Sequence, residues 1–160
     1  LDLLTYLHIN LSAVYKGKNI IMKTESIKKK DICRDWYLVD AKDKTLGRLS
    51  SKVATILRGK NKVNYTPNID VSDFVVIINA NQIKVTGNKE DKKAYWRHSG
   101  FPGGTKTKLY KTLDSTFVIT KAIKGMLPHN RLGRKLINHL KVYNGDSHPH
   151  QSQNPKLMEI

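Results

Sequence analysis

Positively charged side chains are concentrated between residues 123 and 144, and this stretch is where the sequence most clearly indicates chemistry. Its basic residues include Lys124, Arg131, Arg134 and Lys135. Guanidinium and ammonium groups at this density bind anions. We therefore expect an anion-binding loop here, and the alternative is an ordinary solvated loop between two helices.

Two helices joined by a stiff loop must position these cations. Apolar residues at helical spacing from Val118 to Leu127 predict a helix that packs on a core. Pro128 should end this helix, because proline lacks a backbone N–H and disfavours helix at the residue before it. A second helix should begin near residue 131, with three leucines on one side. These are Leu132, Leu136 and Leu140.

The start of this second helix is an unfavourable place for arginines, because the backbone dipole at a helix N-terminus prefers anions. No carboxylate lies nearby in the sequence to offset them. An external anion should do so.

The charge of the whole chain also points to a polyanionic partner. Lys and Arg number 29 and Asp and Glu 13, which gives a formal net charge of +16 and an isoelectric point near 9.9. Self-repulsion of this size is most often offset by nucleic acid. A membrane surface is the competing partner, but the sequence has no amphipathic anchor, no lipidation signal and no run of 18 apolar residues. We expect no membrane association.

At 160 residues with 39% hydrophobic side chains, the chain is expected to form one domain with a modest core. Cys33 is the single cysteine, which excludes an intramolecular disulfide and a cysteine-based zinc cluster and fits a reducing compartment. No nucleophile signature surrounds it.

Residues 1–21 differ in character from the rest of the sequence, and Met22 opens what resembles a natural start. The stretch lacks the charge pattern of a signal peptide and the arginines of a transit peptide. We interpret it as sequence translated upstream of the true start and outside the fold. An organellar leader is the alternative.

A strand, a helix and a second strand follow one another between residues 36 and 79. Residues 36–41 read as a strand, and residues 74–79 form an unbroken apolar run, which is typical of a strand covered on both faces. Between them, residues 46–58 show an apolar stripe that Gly59 should terminate. The stripe consists of Leu46, Leu49, Val53, Ile56 and Leu57. This βαβ pattern predicts a parallel sheet with a right-handed crossover, which residues 83–85 could extend.

Aromatic residues are interleaved with Arg and Lys between residues 89 and 111, and glycines cluster at residues 100–104. Aromatic rings can stack on unpaired bases while Arg and Lys neutralise phosphates, which is how single-stranded RNA is usually held. A β-hairpin with aromatic cross-strand pairs and a glycine-rich turn explains the same pattern structurally, and the two interpretations are compatible.

Asp146, His148 and His150 offer side chains that metal-dependent or nuclease chemistry could use. Pro149 prevents a helical pair of histidine ligands, and the carboxylates of the chain do not cluster as metal-ion catalysis would require. Neither a Walker-type nor a dinucleotide-binding glycine motif occurs. We expect no catalytic residue, no metal, no cofactor and no small-molecule substrate.

The chain resembles the bacterial-type ribosomal protein L13 family from Met22 to Pro155. The resemblance rests on Trp36-Tyr37-x-Val39-Asp40-Ala41, Leu46-Gly47-Arg48-Leu49, Leu57-Arg58-Gly59-Lys60, Tyr65-Thr66-Pro67, Thr86-Gly87-Asn88-Lys89, residues 97–104, Lys124-Gly125-Met126-Leu127-Pro128, Gly133-Arg134, Leu140-Lys141-Val142-Tyr143 and His148-Pro149-His150. In contrast to the usual family pattern, Ser72 replaces a glycine before the aspartate, and no proline precedes Val118.

The resemblance implies an α/β fold of three layers, α/β/α, in residues 22–160, with a small, largely parallel sheet of about four strands, basic loops and a C-terminal extension. It also implies a structural role in the large ribosomal subunit, with 23S-type rRNA and neighbouring ribosomal proteins as partners and an early role in assembly. The expected location is the cytoplasmic ribosome, with an organellar ribosome as the alternative. A free-standing regulator that binds RNA or mRNA is a second interpretation.

The residues expected to contact RNA are basic side chains and exposed aromatic rings from these segments. They are Arg48, Arg58, Lys60, Lys62, Trp96, Arg97, His98, Phe101, Lys124, Arg131, Arg134, Lys135 and Lys141.

Overall fold

The predicted βαβ unit forms the centre of the fold. In the computed structural model, which describes residues 27–160, strand β1 spans Trp36–Asp40, helix α1 spans Leu46–Arg58 and strand β2 spans Phe74–Ile78. The two strands pair in parallel, and Trp36 lies opposite Phe74. Helix α1 therefore makes the crossover that its amphipathic pattern predicts.

The chain next leaves the sheet to form a hairpin and three helices. A short helix, α2 (Lys89–Lys92), precedes strands β3 (Ala94–His98) and β4 (Thr105–Leu109), which pair in antiparallel fashion. Helix α3 (Ser115–Met126) and helix α4 (Arg131–Leu136) follow.

Two further strands complete the main sheet. Strand β5 (Leu140–Val142) pairs with β2, and strand β6 (Lys156–Leu157) pairs with β1, both in parallel. The strand order is β5-β2-β1-β6. Single 3-10 turns occur at Lys29–Asp31, Ala80–Gln82, Tyr110–Thr112, Ile137–His139 and Gln151–Gln153.

The hydrophobic core lies between the sheet and the helices α1 and α3. All five residues of the predicted stripe on α1 are buried. They join Val118, Ile119 and Ile123 of α3 and alternate residues of the strands, including Val39 and Ile77, in one cluster. Burial of these apolar side chains fixes the two helices on the sheet.

The opposite face of the sheet is covered by aromatic rings and by the C-terminal extension. Because side chains alternate across a strand, Trp36 and Phe74 point away from Val39 and Ile77. Their rings stack with centroids 4.3 Å apart, and His150 and His139 lie 5.2 Å from Trp36 and 4.6 Å from Phe74, respectively. Both faces of β2 are thus covered, as its unbroken apolar run predicts.

The structure confirms the α/β class and the parallel sheet of four strands, and it corrects two local predictions. Helix α4 ends at Leu136, and Leu140 is buried as the first residue of β5 and not as part of a helix. Residues 83–85 add no strand, because the turn Ala80–Gln82 redirects the chain and Lys84 forms only an isolated bridge to Thr45. The prediction for residues 1–21 lies outside the described residues.

Gly59→Ala should lower the free energy of unfolding by about 1–2 kcal/mol, because its left-handed conformation disfavours a side chain. Gly59 has φ +74°, and an added Cβ would lie 3.1 Å from the Val71 carbonyl oxygen. Urea denaturation followed by circular dichroism measures the change.

Gly47→Ala is the matched control within the same helix, because nothing lies within 4 Å of a Cβ added there. Helix propensity should make this variant more stable by about 0.5–1 kcal/mol. Effects of the same sign at both glycines would contradict the explanation.

Candidate nucleic-acid interface

The loop between α3 and α4 is held rigidly by its own backbone and by one side chain. Leu127 is extended, with ψ 157°, as the residue before a proline should be. The Asn130 side-chain oxygen accepts a hydrogen bond of 2.8 Å from the Gly133 N–H and so caps α4. Gly133 is buried against the Pro128 carbonyl, where any Cβ would collide. The loop therefore presents its cations from a fixed frame.

The cations of this loop face two neighbouring depressions. Lys124 and Arg134 line a cavity of about 230 Å³ together with Pro128 and His129. Lys135 instead lines a groove beside α4, and Arg131 is exposed but lines neither depression. The structure thus brings Lys124 and Arg134 to one depression and places Lys135 in a separate groove.

Strands β3 and β4 confirm the predicted hairpin and its glycine-rich turn but not the aromatic cross-strand pairs, because Tyr95 lies opposite Lys108 and Trp96 opposite Thr107. The glycine-rich turn spans residues 99–104, and both Gly100 and Gly103 have positive φ. The Gly100 N–H donates to His98 Nδ1 at 2.9 Å, so this ring helps to shape the turn. The Trp96 and Phe101 side chains are 71% and 74% exposed.

The register of the hairpin separates its cations from its largest aromatic ring. Arg97 lies directly opposite Lys106, and Lys108 lies two residues further along the same face. Trp96 points to the other face, because side chains alternate along a strand. Like charges directly opposite each other are destabilising in a free hairpin. Lys106 and Lys108 were not among the predicted RNA contacts, although the alternation Thr-Lys-Thr-Lys places both lysines on one face of the strand.

Contacts at its base tie the hairpin to the body of the protein. The Tyr95 and Phe117 rings meet edge to face with centroids 6.2 Å apart, and the Lys93 ammonium lies 5.3 Å from the centre of the Tyr95 ring. Phe117 belongs to α3, which also leads into the basic loop. One helix therefore connects the two regions with the most predicted RNA contacts.

The remaining predicted residues are more dispersed. Arg58 and Lys60 flank Gly59 at the end of α1, whereas Arg48 is exposed about 15 Å away along the helix axis. Lys141 is half-buried on the edge strand β5. The structure does not gather these side chains into one cluster with the loop or the hairpin.

Lys62 has a different environment from the other predicted cations. Its ammonium forms an ion pair with Asp73, whose side chain is fully buried, and also donates to the Cys33 carbonyl at 2.8 Å. Removing one partner of such a pair leaves an uncompensated buried charge. We therefore assign Lys62 a structural role and leave it out of the proposed interface.

Unpaired charge is the property that the other predicted Lys and Arg residues share. Within residues 27–160, none of them lies within ion-pairing distance of a carboxylate. The carboxylates that do form pairs hold other cations, such as Arg34, Lys84 and Lys111.

A polar cluster next to the groove that Lys135 lines contains Ser72, His139 and Asp70. It does not have the arrangement of a catalytic triad. The Ser72 hydroxyl bonds to both the Asp70 carboxylate and His139 Nδ1, and Ser72 is fully buried. Asp70 also accepts a bond of 3.1 Å from Arg34. A nucleophile without solvent access cannot attack a substrate, so this cluster stabilises local structure.

No grouping of His, Cys, Asp and Glu that could hold a metal ion is present in the described part of the chain. Among these same residues, no helix is long and apolar enough to cross a membrane.

The stability of the protein should fall as the pH is lowered from about 7 to about 5, with a contribution from His139 of at most about 1.4 kcal/mol per pH unit. Burial lowers the pKa of His139 below its ordinary value of 6.5, against the opposite effect of Asp70. In this range the His139 side chain is more fully protonated in the unfolded chain than in the folded protein, so acid favours unfolding. Urea midpoints across the range measure the slope, and an identical slope in His139→Gln would refute the assignment.

The sequence of this chain is similar to sequences of known proteins. A family model described as Ribosomal protein L13, a family of structural ribosomal proteins and not of enzymes, matches residues 34–149. The large ribosomal subunit protein uL13 of Prochlorococcus marinus (strain NATL1A) is 55% identical over 132 residues, which cover 81% of this chain and 88% of the relative. Those of Syntrophomonas wolfei and Moorella thermoacetica are 53% and 51% identical over 142 residues, which cover 87% of this chain and 99% of each relative. With this family match and this identity over most of its length, the chain belongs to the ribosomal protein L13 family.

Proposed function

We propose that this protein binds large-subunit ribosomal RNA as a structural component of the ribosome and supports early assembly of the large subunit. The observation that carries the proposal is the set of predicted cations that have no carboxylate partner within residues 27–160. Phosphates of the RNA backbone are the partners that would offset them. Neighbouring large-subunit proteins are further partners, and the cytoplasmic ribosome is the proposed location.

Two regions provide most of the proposed contacts. The rigid loop around Pro128 places Lys124, Arg131 and Arg134 at fixed positions, so that it can recognise the spacing of phosphates in one RNA fold. The hairpin supplies a cationic face with Arg97 and a face on which Trp96 is exposed to stack on an unpaired base. Binding of this kind releases counterions and weakens with salt.

Arg131→Glu combined with Arg134→Glu should weaken binding to large-subunit rRNA and reduce incorporation into the subunit. The change reverses two charges on a fixed frame, and each lost phosphate contact should also lower the slope of log K against log salt by about 1. Filter binding at several salt concentrations and sucrose gradients after a high-salt wash measure the two effects.

Lys42→Glu combined with Lys44→Glu is the control, because it changes the net charge equally at two exposed residues. These lysines alternate with Asp40 and Asp43, so the local charge is already mixed. Equal losses in both double variants would show that overall charge, and not the loop, governs binding.

Lys106→Glu should affect stability and RNA binding in opposite directions. It replaces a like-charge pair opposite Arg97 with an opposite-charge pair, which should stabilise the free protein by about 0.2–1 kcal/mol. It also removes a proposed phosphate contact and should weaken rRNA binding. Thermal unfolding measures the expected gain in stability, and filter binding measures the expected loss of rRNA affinity. A loss of stability with unchanged binding would contradict both expectations.

A further inference from the structure

A groove of about 630 Å³ separates helix α4 from the N-terminal segment and from the loop before β2. Its volume is within the range of about 300–1,000 Å³ that is typical of small-ligand pockets. The predicted RNA-binding residue Lys135 lies on its α4 side, but the other residues around it were not predicted as contacts. The groove therefore lies beside the basic loop, but the proposed role of the loop does not account for the other residues that line it.

The apolar part of the groove comes from three segments that are distant in the sequence. Ile32, Ile69 and Leu132 line it, and each of these side chains is half-buried. A phosphate or a sugar alone would gain little from such a surface. A flat ring with apolar faces would gain from covering it.

Cations and an amide surround this apolar surface. Lys29 and Lys135 are exposed and have no ion-pair partner within the described range of 27–160. Asn68 is exposed as well, and its amide offers both hydrogen-bond donors and an acceptor. The ligand that suits this combination has a ring with polar edges and an anionic group beside it.

One wall of the groove is already organised. Arg34 bonds to the Asp70 carboxylate at 3.1 Å, and the Ser72 N–H donates to the other oxygen of that carboxylate at 3.2 Å. The Asp70 charge is therefore compensated by Arg34 and does not repel an approaching phosphate as a free carboxylate would. A preformed wall also reduces the ordering that a ligand must impose on binding.

We propose that this groove binds one unpaired nucleotide of an RNA chain, with the base on the apolar surface and the adjoining phosphates beside Lys29 and Lys135. Asn68 then reads a polar edge of the base. A base inside a duplex cannot enter a groove of this kind, because both of its faces are stacked and its pairing edge is occupied. The proposal rests on the proposed rRNA-binding function and adds a single extruded base to it.

The test uses the full chain at saturating concentration on transcripts of bacterial large-subunit rRNA. Dimethyl sulfate and a carbodiimide modify the pairing edges of unpaired bases, so a base held in the groove is protected. Asn68→Ala with Ile69→Ala should remove the protection of one base and weaken binding about tenfold. The salt dependence should stay unchanged, because no charge is removed.

Two comparisons separate base binding from other effects. Lys135→Ala should keep the base protection but lower the salt slope by about 1. Val63→Ala with Asn64→Ala alters exposed residues of a neighbouring groove and should keep every protection. Circular dichroism melting verifies that all variants fold.

The outcomes distinguish this inference from the function on which it rests. A wild-type footprint that Asn68→Ala with Ile69→Ala leaves intact at every base would overturn the groove assignment alone. If the wild-type protein is retained with the transcript in filter binding but protects no base, the groove assignment fails alone. If it is not retained, rRNA binding fails and this inference fails with it. Saturable shifts of the Leu132 methyl signals by free AMP, CMP, GMP or UMP, stronger than those by unpaired oligonucleotides, would assign the groove to a free nucleotide instead.

Discussion

The buried ion pair between Lys62 and Asp73 joins segments on which the rest of the structure depends. Asp73 directly precedes β2 and also accepts a hydrogen bond of 2.9 Å from the Asp35 N–H, just before β1. Lys62 follows helix α1 and reaches back to the Cys33 carbonyl. A single carboxylate thus fixes the starts of both central strands and the chain segment after their crossover helix.

The charged side chains near this ion pair differ from those of the basic loop and the hairpin in whether they have a partner of opposite charge. Carboxylates near the sheet hold cations that organise the backbone, as Asp73 holds Lys62 and Asp70 holds Arg34. The cations of the basic loop and the hairpin have no carboxylates of their own among the described residues. Because pairing within the protein would compete with phosphate, leaving these side chains unpaired would keep them available to the proposed RNA partner at the cost of mutual repulsion.

Features that arise from local patterns could be predicted from the sequence. The stripe of α1, the end of α3 before Pro128 and the buried strand β2 depend on periodicity or on proline geometry, and the structure contains all three. The prediction placed Leu140 in a helix because it follows Leu136 by four residues. That spacing indicates that both side chains are buried, but it does not show where helix α4 ends and strand β5 begins. The pairing of Lys62 and the walls of the groove depend on contacts between distant segments, which no local pattern encodes.

The loop and the hairpin differ in how firmly they are held before RNA binds. The loop is capped by Asn130 and packed around the buried Gly133. The hairpin is anchored chiefly at Tyr95, and its other strand residues are exposed. Elements with few buried contacts and exposed backbone bonds are the first to open locally. In the proposed complex, RNA would therefore meet a rigid loop that sets the register and a hairpin that can adjust, so that most of the ordering on binding would fall on the hairpin.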